Sequence, residues 1–499
     1  MRVIRNLFLI SLFCAGCGTS RLAYNPFHKF SPKEVAADYT IFEDILKQSH
    51  PGLYWYTPAD SMEAYFNWGR QQLKDSVTEP QFRKILSYVT AKIDCGHTSV
   101  KAPKRFVRFI DSSSFSIFPL SLKLWKDTAV VVANLISKDT VLKRGTVITS
   151  INKKRMQAIL DTLFRFLPAD GKNDTHKYQT LSNRGAFGSY YSNIFGNHSS
   201  YLVGYVDSNG HESIDTLTAY FPFRDSLNRI TGSGIFKKRS KRERKQDELQ
   251  SARSLELKTN EQTAFMDVNT FSKGYRLKRF FRRSFRLLRR KDIHYLVIDV
   301  RGNGGGNVMN STLLTKFLVT HPFKLADSLY ALSRRNNHSR YIQNYFFNRL
   351  FMDFATRKRA DGYYHFGYFE RHYFKPKKKN HFSGQTFVLT GGNSFSATAL
   401  FAQSLKNEPA TTLVGEETGG GAYGNSAWLI PDVVLPHTKT RFRLPLFRLV
   451  INKNLPKNGR GVQPEVEVFP TVEAIKNGED YKMNKAIELI QQSRLTRHP

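Results

Sequence analysis

Cysteine is almost missing from this chain: three in 499 residues, too few for a disulfide scaffold. Proline and glycine number 19 and 32, which excludes a collagen-like or low-complexity polypeptide. Acidic residues are scarce as well, 41 Asp and Glu against 76 Lys and Arg, for a net charge of +35. Long apolar runs are lacking too, so a multi-span membrane protein is excluded. What is present is 40% hydrophobic and 13% aromatic residues, ample for one or more full cores. At roughly 150 residues per domain the length allows about three domains. The surplus positive charge suits nucleic acid, anionic lipid or acidic substrates.

The first residues indicate the compartment. Arg2 and Arg5 precede the short apolar run Leu7 to Phe13, and small Ala15 and Gly16 precede Cys17. A charged start, a short apolar stretch and small residues before a cut describe a secretory signal. The hexapeptide ending at Cys17 also resembles a bacterial lipobox, which implies acylation of the Cys17 thiol; an ordinary signal peptide with two incidental cysteines is the plainer reading. Either way the mature body is expected outside the cytoplasm, at the cell envelope facing the periplasm or exterior, where nucleic acid is not an expected partner. Only Cys95 then remains in the body of the chain.

Beyond residues 1–17, the pattern divides into an N-terminal helical domain (18–110), a β-rich domain (111–170), a connecting region (171–262), an α/β core (263–475) and a C-terminal helix or tail (476–499). Ser31-Pro32-Lys33-Glu34 has the makings of a capping box with Pro in the first turn, and Val35, Tyr39, Phe42 and Ile45 follow at helical spacing. Leu142 to Asn152 resembles a passage of PDZ domains, in which a turn leads into a buried strand. Such a module binds an extended peptide along a sheet edge; no glycine-rich carboxylate loop precedes Phe118, and a plain β-rich spacer is the alternative. Residues 236–262 are polar and charged and read as a solvated, mobile insertion. In the core, strands alternate with helices, as in an α/β layered domain. Leu277, Phe281, Ser284 and Leu288 share one face of a helix whose other face is Arg and Lys.

Three motifs carry chemistry. Leu296 to Gly306 runs a buried strand into a turn with four glycines in five positions, where backbone N–H groups can meet an oxyanion. Phe387 to Ala402 runs a strand through Gly391-Gly392 to Ser396 at the start of a helix, which exposes its hydroxyl; a helix N-cap is the commoner role for such a serine. Asp94-Cys95-Gly96-His97-Thr98-Ser99 puts a histidine on a tight turn. Cys95, two residues from His97, reads as a buried bystander. His365 and His372 lie in an aromatic, basic, surface-like stretch.

Together these motifs resemble the tail-specific, or C-terminal processing, serine peptidases, in the branch similar to the tricorn protease core. The Asp-x-Arg-x-Asn-Gly-Gly-Gly motif is matched at Asp299 to Gly306 and Ser-Ala-Ser/Thr at Ser396-Ala397-Thr398. The stretches Gly415 to Gly421 and Gly461 to Glu465 look familial as well. The resemblance implies a crotonase-like (ClpP/crotonase) α/β layered core behind a helical domain and a PDZ-like domain. It implies Ser396 as nucleophile, His97 as general base, and the N–H groups of Ala397 and of Gly305, within the Gly304 to Gly306 turn, as oxyanion hole. One branch has a lysine base where this chain has Gly421, which disfavours a Ser/Lys dyad. The tricorn-like branch has a Glu where this chain has Asn458, so Glu416, Glu417, Asp94 or an amide is left to orient His97, with Glu416 preferred.

The expected function is peptide-bond hydrolysis through an acyl-enzyme, with no metal or cofactor. The expected partners are a peptide or protein substrate, recognised by its C-terminus, and a membrane reached through a lipid on Cys17. Two alternatives stand beside it: an inactive peptide-binding or scaffold lipoprotein on the same fold, and a basic protein for anionic surfaces, through the runs at Lys237, Arg276 and Lys375 to Lys379.

Overall fold

The computed structural model describes residues 24–112, 115–221 and 240–497. The signal-like start with Cys17, and the basic run before Ser240, lie outside them. Helix α1 (Pro32–Ser49) opens on the expected capping box: the Ser31 hydroxyl accepts the Glu34 N–H, and the Glu34 carboxylate accepts the Ser31 N–H. Thr78 and Gln81 repeat the device at α3 (Glu79–Ala91), after α2 (Ala59–Gln71). The apolar faces of these helices meet in one core that continues into Leu329, Phe442 and Phe447. The helical region is thus packed onto the later part of the chain.

A β-rich body follows. Strands β1 (Leu120–Trp125) and β2 (Thr128–Asn134) form a hairpin. Strand β3 (Ile148–Ile151) joins β4 (Ser200–Val206) and β5 (Glu212–Thr218) in a second, antiparallel sheet. Helices α4 (Met156–Phe164) and α5 (Asp174–Ser182) lie beside them. Their common core runs from Phe118 to Ala219, so the region expected to close at 170 takes in two further strands. Tyr201, Val203 and Leu217 are the buried partners that draw β4 and β5 in.

The third body is a six-stranded sheet, in the order β6 (Arg253–Lys258), β7 (Thr263–Val268), β8 (Tyr295–Asp299), β9 (Gln385–Thr390), β10 (Thr411–Gly415) and β11 (Val466–Glu467). Strand β6 is antiparallel to β7 and all other pairs are parallel. The expectation of a solvated insertion before this core is corrected here. Ser240 and Glu243 form a capping box for α6 (Lys241–Ala252), and β6 then zips onto β7 from Arg253↔Val268 to Lys258↔Thr263. Leu255 and Leu257, alternating with polar residues, pack on the core; two apolar residues suffice for an edge strand. Helix α7 (Leu277–Arg290) buries Leu277, Phe281, Ser284 and Leu288, as their spacing requires. With α8 (Val308–Thr315) it forms a helical layer on the sheet. A smaller, five-stranded sheet contains Ser328–Ala331 and Phe447–Val450, and helix α9 (Tyr345–Ala355) near it exposes Phe346, Phe347 and Phe354. In the stretch that follows α9, His365 is buried, not surface-like as its sequence context suggested: Glu370 lies 2.7 Å from one ring nitrogen and Asp361 2.8 Å from the other. Helix α10 (Ala397–Leu405) completes the layer of α7 and α8, and α11 (Tyr481–Arg497) covers the opposite face. Among the described residues no helix is long and apolar enough to cross a membrane.

Candidate active site

Strands β8 and β9 are parallel neighbours, in register from Tyr295↔Gln385 to Asp299↔Leu389. The two glycine turns that follow them therefore emerge side by side, beyond the carboxyl ends of the strands, where open α/β sheets hold their ligands. Fully buried Asn303 joins the turns. Its Nδ2 donates to Val268 O at 2.9 Å, its Oδ1 accepts the Gly305 N–H at 2.9 Å, and its carbonyl accepts the Phe395 N–H at 3.1 Å. Arg301 is gripped by Asp299 and Asp480, so the charged pair of the first motif ties the sheet to the residue preceding α11. Burial opposes the Arg301 charge, but the two carboxylates outweigh it and raise its pKa.

Ser396 stands between β9 and α10 with φ +57° and ψ −121°. Side chains rarely hold this backbone region, and such strain collects at functional sites. A serine on a sharp strand-to-helix turn has its hydroxyl lifted clear of the sheet. The Ser396 side chain caps nothing, so the N-cap role does not apply. The Ala397 N–H, next in the chain, has no acceptor among the described residues. Gly305, at φ +97°, lies directly against the serine: a Cβ there would come within 2.7 Å of both Phe395 O and Ser396 Cβ. Only glycine fits. Its own N–H is held by Asn303 Oδ1, whereas those of Gly304 and Gly306 have no acceptor among the described residues.

His97 sits in the loop after α3 and is 4% exposed. Its ring packs on Phe395, with centroids 4.6 Å apart, and neither ring nitrogen has a hydrogen-bond partner among the described residues. Gly96 permits this approach, since a Cβ there would meet the Phe395 ring at 2.6 Å. The Phe395 ring also stacks on His176, with centroids 4.7 Å apart. His176 Nδ1 lies 2.7 Å from Gly392 O; a carbonyl only accepts, so Nδ1 carries the proton. Burial lowers the His176 pKa.

The carboxylate facing His97 is Asp170, 2% exposed, with Oδ1 3.9 Å from His97 Nδ1. Asp170 also accepts the Gly96 N–H at 2.9 Å and the Gly421 N–H at 3.3 Å. Burial would raise its pKa, but the His97 ring and the Gly96 N–H reverse this and hold it below the usual carboxylate range. Asp170 belongs to no motif in the sequence; Ala169-Asp170-Gly171 carries only the signature of a turn.

Glu416, the acid preferred from sequence, is turned elsewhere. It is buried against Lys482 at 2.5 Å, with Lys123 at 4.0 Å. Burial opposes its charge, and the two lysines hold its pKa below the ordinary value. Glu417 accepts the Gly461 N–H and pairs with Arg460, so it fastens two glycine segments together. Asp94 pairs with Lys172 at 2.9 Å. Asn458 is exposed and accepts the Arg460 N–H.

Burial, followed by the Asp170 charge, pushes the Cys95 thiol up to about 11, which leaves almost no thiolate at neutral pH. Ligand atoms of Cys95, His97 and Asp170 lie within 4.8 Å of one another, the one grouping of such residues with metal-ligand spacing among the described residues.

Residues 262–468 match the model of peptidase family S41. The solved structure of mature CPAF is similar over 92% of this chain and 96% of its own, at 14% identity and a TM-score of 0.61. Mature CPAF complexed with lactacystin is similar over 93% and 98%, at 13% identity and a TM-score of 0.62. At such identities the likeness is one of fold. No curated protein is matched by the sequence. Through residues 262–468 the chain is similar to peptidase family S41, on a layered α/β fold, and these likenesses support a serine-type peptidase acting on peptides or proteins.

Proposed function

We propose that this peptidase hydrolyses peptide bonds of extracytoplasmic proteins or peptides through an acyl-enzyme on Ser396, with His97 as general base and Asp170 as the acid that orients it. The observation that carries this reading is the strained Ser396 backbone, with the free Ala397 N–H on one side and the Gly305 turn against it. Nδ1 of His97 faces Asp170, which leaves Nε2 to take the Ser396 proton as Oγ attacks the scissile carbonyl. The oxyanion that forms is held by the Ala397 N–H and by one N–H of the Gly304 to Gly306 turn. Gly305 serves there only once it releases Asn303 Oδ1. His97 then protonates the leaving amine, the C–N bond breaks, and water hydrolyses the ester. In this conformation the Phe395 ring lies on His97 and no hydrogen bond joins His97 to Ser396; catalytic contacts of this kind tighten when substrate is bound. The β-rich body offers sheet edges for an extended peptide, and the proposed route presents the substrate by its C-terminus. A lipid on Cys17 would hold the enzyme at the envelope.

Labelling with a fluorophosphonate tests the chemistry. Wild-type protein should carry the adduct on Ser396 by mass spectrometry, Ser396→Ala should carry none, and His97→Ala should label at least a hundredfold more slowly. A folded wild-type protein that stays unlabelled even with peptide present would instead favour an inactive peptide-binding protein on the same fold.

A further inference from the structure

Helix α7 does more than cover the sheet. Its inner face, with Phe281, Phe285 and Leu288, is buried, and Phe285 stacks on Phe317 with centroids 4.4 Å apart. Its outer face carries Lys278, Arg279, Arg282, Arg283, Arg286 and Arg289, all exposed. The helix contains no acidic residue, and none of these six side chains has an ion pair among the described residues. Exposed cations elsewhere on the chain are often paired, as Lys245 is with Glu248 and Lys485 with Glu488.

The crowding extends past the helix. An open groove of about 650 Å³ between α7 and the α6–β6 segment is lined by Arg253, Arg283, Arg286 and Arg290. Burial lowers the Arg253 pKa and the neighbouring Arg276 charge lowers it further. At the end of α8, next to Phe317, the Lys377 N–H donates to Lys316 O. The Lys316 ammonium is depressed by burial and by Lys377. The lysine run 375–379 thus adjoins the same helical layer, again without an acid between the charges. Like charges gathered this way repel one another, and a polyanion offered to them relieves that repulsion.

We propose that the outer face of α7, with the adjoining groove and lysine run, is a docking surface for an anionic phospholipid bilayer. Guanidinium groups match phosphate oxygens in paired hydrogen bonds, and a bilayer offers many phosphates in one plane to one helix lying along the surface. The rings of the helix do not act as stacking platforms for bases, since Phe281 and Phe285 are buried and Arg253 covers Phe280 at 4.7 Å; single-stranded nucleic acid sites depend on such platforms. A lipid on Cys17, as proposed above, would point the same way. This surface is separate from Ser396 and would hold the body of the peptidase against the lipid.

The test uses the full chain carrying Cys17→Ser, so that no acyl group contributes. Binding is measured by co-sedimentation with phosphatidylcholine vesicles and with vesicles containing about a third phosphatidylglycerol. The quadruple variant Arg279→Gln, Arg282→Gln, Arg286→Gln and Arg289→Gln should lose on the order of a hundredfold in partitioning to the anionic vesicles, and nothing on the neutral ones. The same four positions changed to Lys should retain binding, which separates charge loss from misfolding. A control with four exposed lysines removed elsewhere, Lys33→Gln, Lys126→Gln, Lys138→Gln and Lys154→Gln, should lose less than threefold. Fluorophosphonate labelling should be unchanged in all. Equal losses in the control and the α7 variant would overturn the proposal, because net charge alone would then explain binding. Tighter binding to single- or double-stranded nucleic acid than to anionic vesicles at equal phosphate would overturn it as well.

Discussion

Asp170 shows how a residue with no motif of its own comes to matter. It faces His97 Nδ1 and at the same time accepts N–H groups from the loops of Gly96 and Gly421. Replacing it by Asn keeps one oxygen as acceptor but removes the charge that would steady an imidazolium. Asp170→Asn is expected to lower kcat/KM by about 10²–10⁴ and to lower the melting temperature by a few degrees, because one of its two N–H partners loses its acceptor. Fluorophosphonate labelling of Ser396 should slow as well, because the His97 ring loses the neighbour that orients it. Undiminished labelling and kcat/KM beside a lowered melting temperature would reduce Asp170 to a strut between loops. Glu416 behaves differently. Lys482→Met would strand a buried carboxylate with Lys123 as its remaining cation, and should cost about 3 kcal/mol of stability in denaturant titrations. The turn at Ser396 and the glycine turns beside it were legible because each stands in a local signature of strand, turn and helix, and the place of His97 because it stands on a tight turn after a helix. The carboxylate facing His97 was not, because a carboxylate is free to arrive from any loop; nothing local separates Asp170 from Glu416.

At the scale of elements, the outcome depends on how much apolar content an element needs. Helix α1 announced itself by four apolar residues at helical spacing and α7 by three with Ser284, and both bury those residues. The α6–β6 pair did not, because α6 buries only Ala252 and β6 contributes two leucines to a sheet edge. Its signals were the Ser240 and Glu243 cap and the alternation around Leu255, and a charged composition masked both. Helix α9 is the opposite case, rich in Phe yet turned outward, with Phe346 and Phe354 exposed by 68% and 76%. Phe346→Ser combined with Phe354→Ser should therefore shift the melting temperature by no more than about 2 °C, since exposed positions rarely contribute over 0.5 kcal/mol. Phe281→Ala in α7 should cost about 3–5 kcal/mol, because a buried ring is lost and a cavity opens. Comparing the two melts decides whether a phenylalanine-rich helix is held by its rings or only by its neighbours.

Over the whole molecule, carboxylates fasten distant parts of the chain, two of them buried and one, Asp480, exposed. Asp170 links the loop of His97 to the Gly421 segment, Glu416 links β10 to α11 through Lys482, and Asp480 links α11 to the turn after β8 through Arg301. Desolvation opposes ionisation at each, yet neighbouring cations or N–H donors hold all three pKa values below their ordinary range. A carboxyl whose pKa is lower in the folded than in the unfolded state stabilises the fold fully above its unfolded value, and that contribution is lost as pH falls through the folded one. Stability should therefore begin to decline below about pH 6.5, where the unfolded chain protonates His176 and the folded one does not, and fall steeply below about 4, where the carboxyls titrate. The net charge of +35 rises further as carboxylates are protonated and steepens the fall. Glu416→Gln should lower the melting temperature at pH 7 by several degrees and make the acid limb shallower, because one of the three groups no longer titrates. Thermal melts of wild type and variant between pH 7 and 3 make the comparison. Parallel acid limbs would mean that Glu416 is as easily protonated folded as unfolded, and that α11 is held by its apolar face against Tyr295, Phe387 and Leu389 alone.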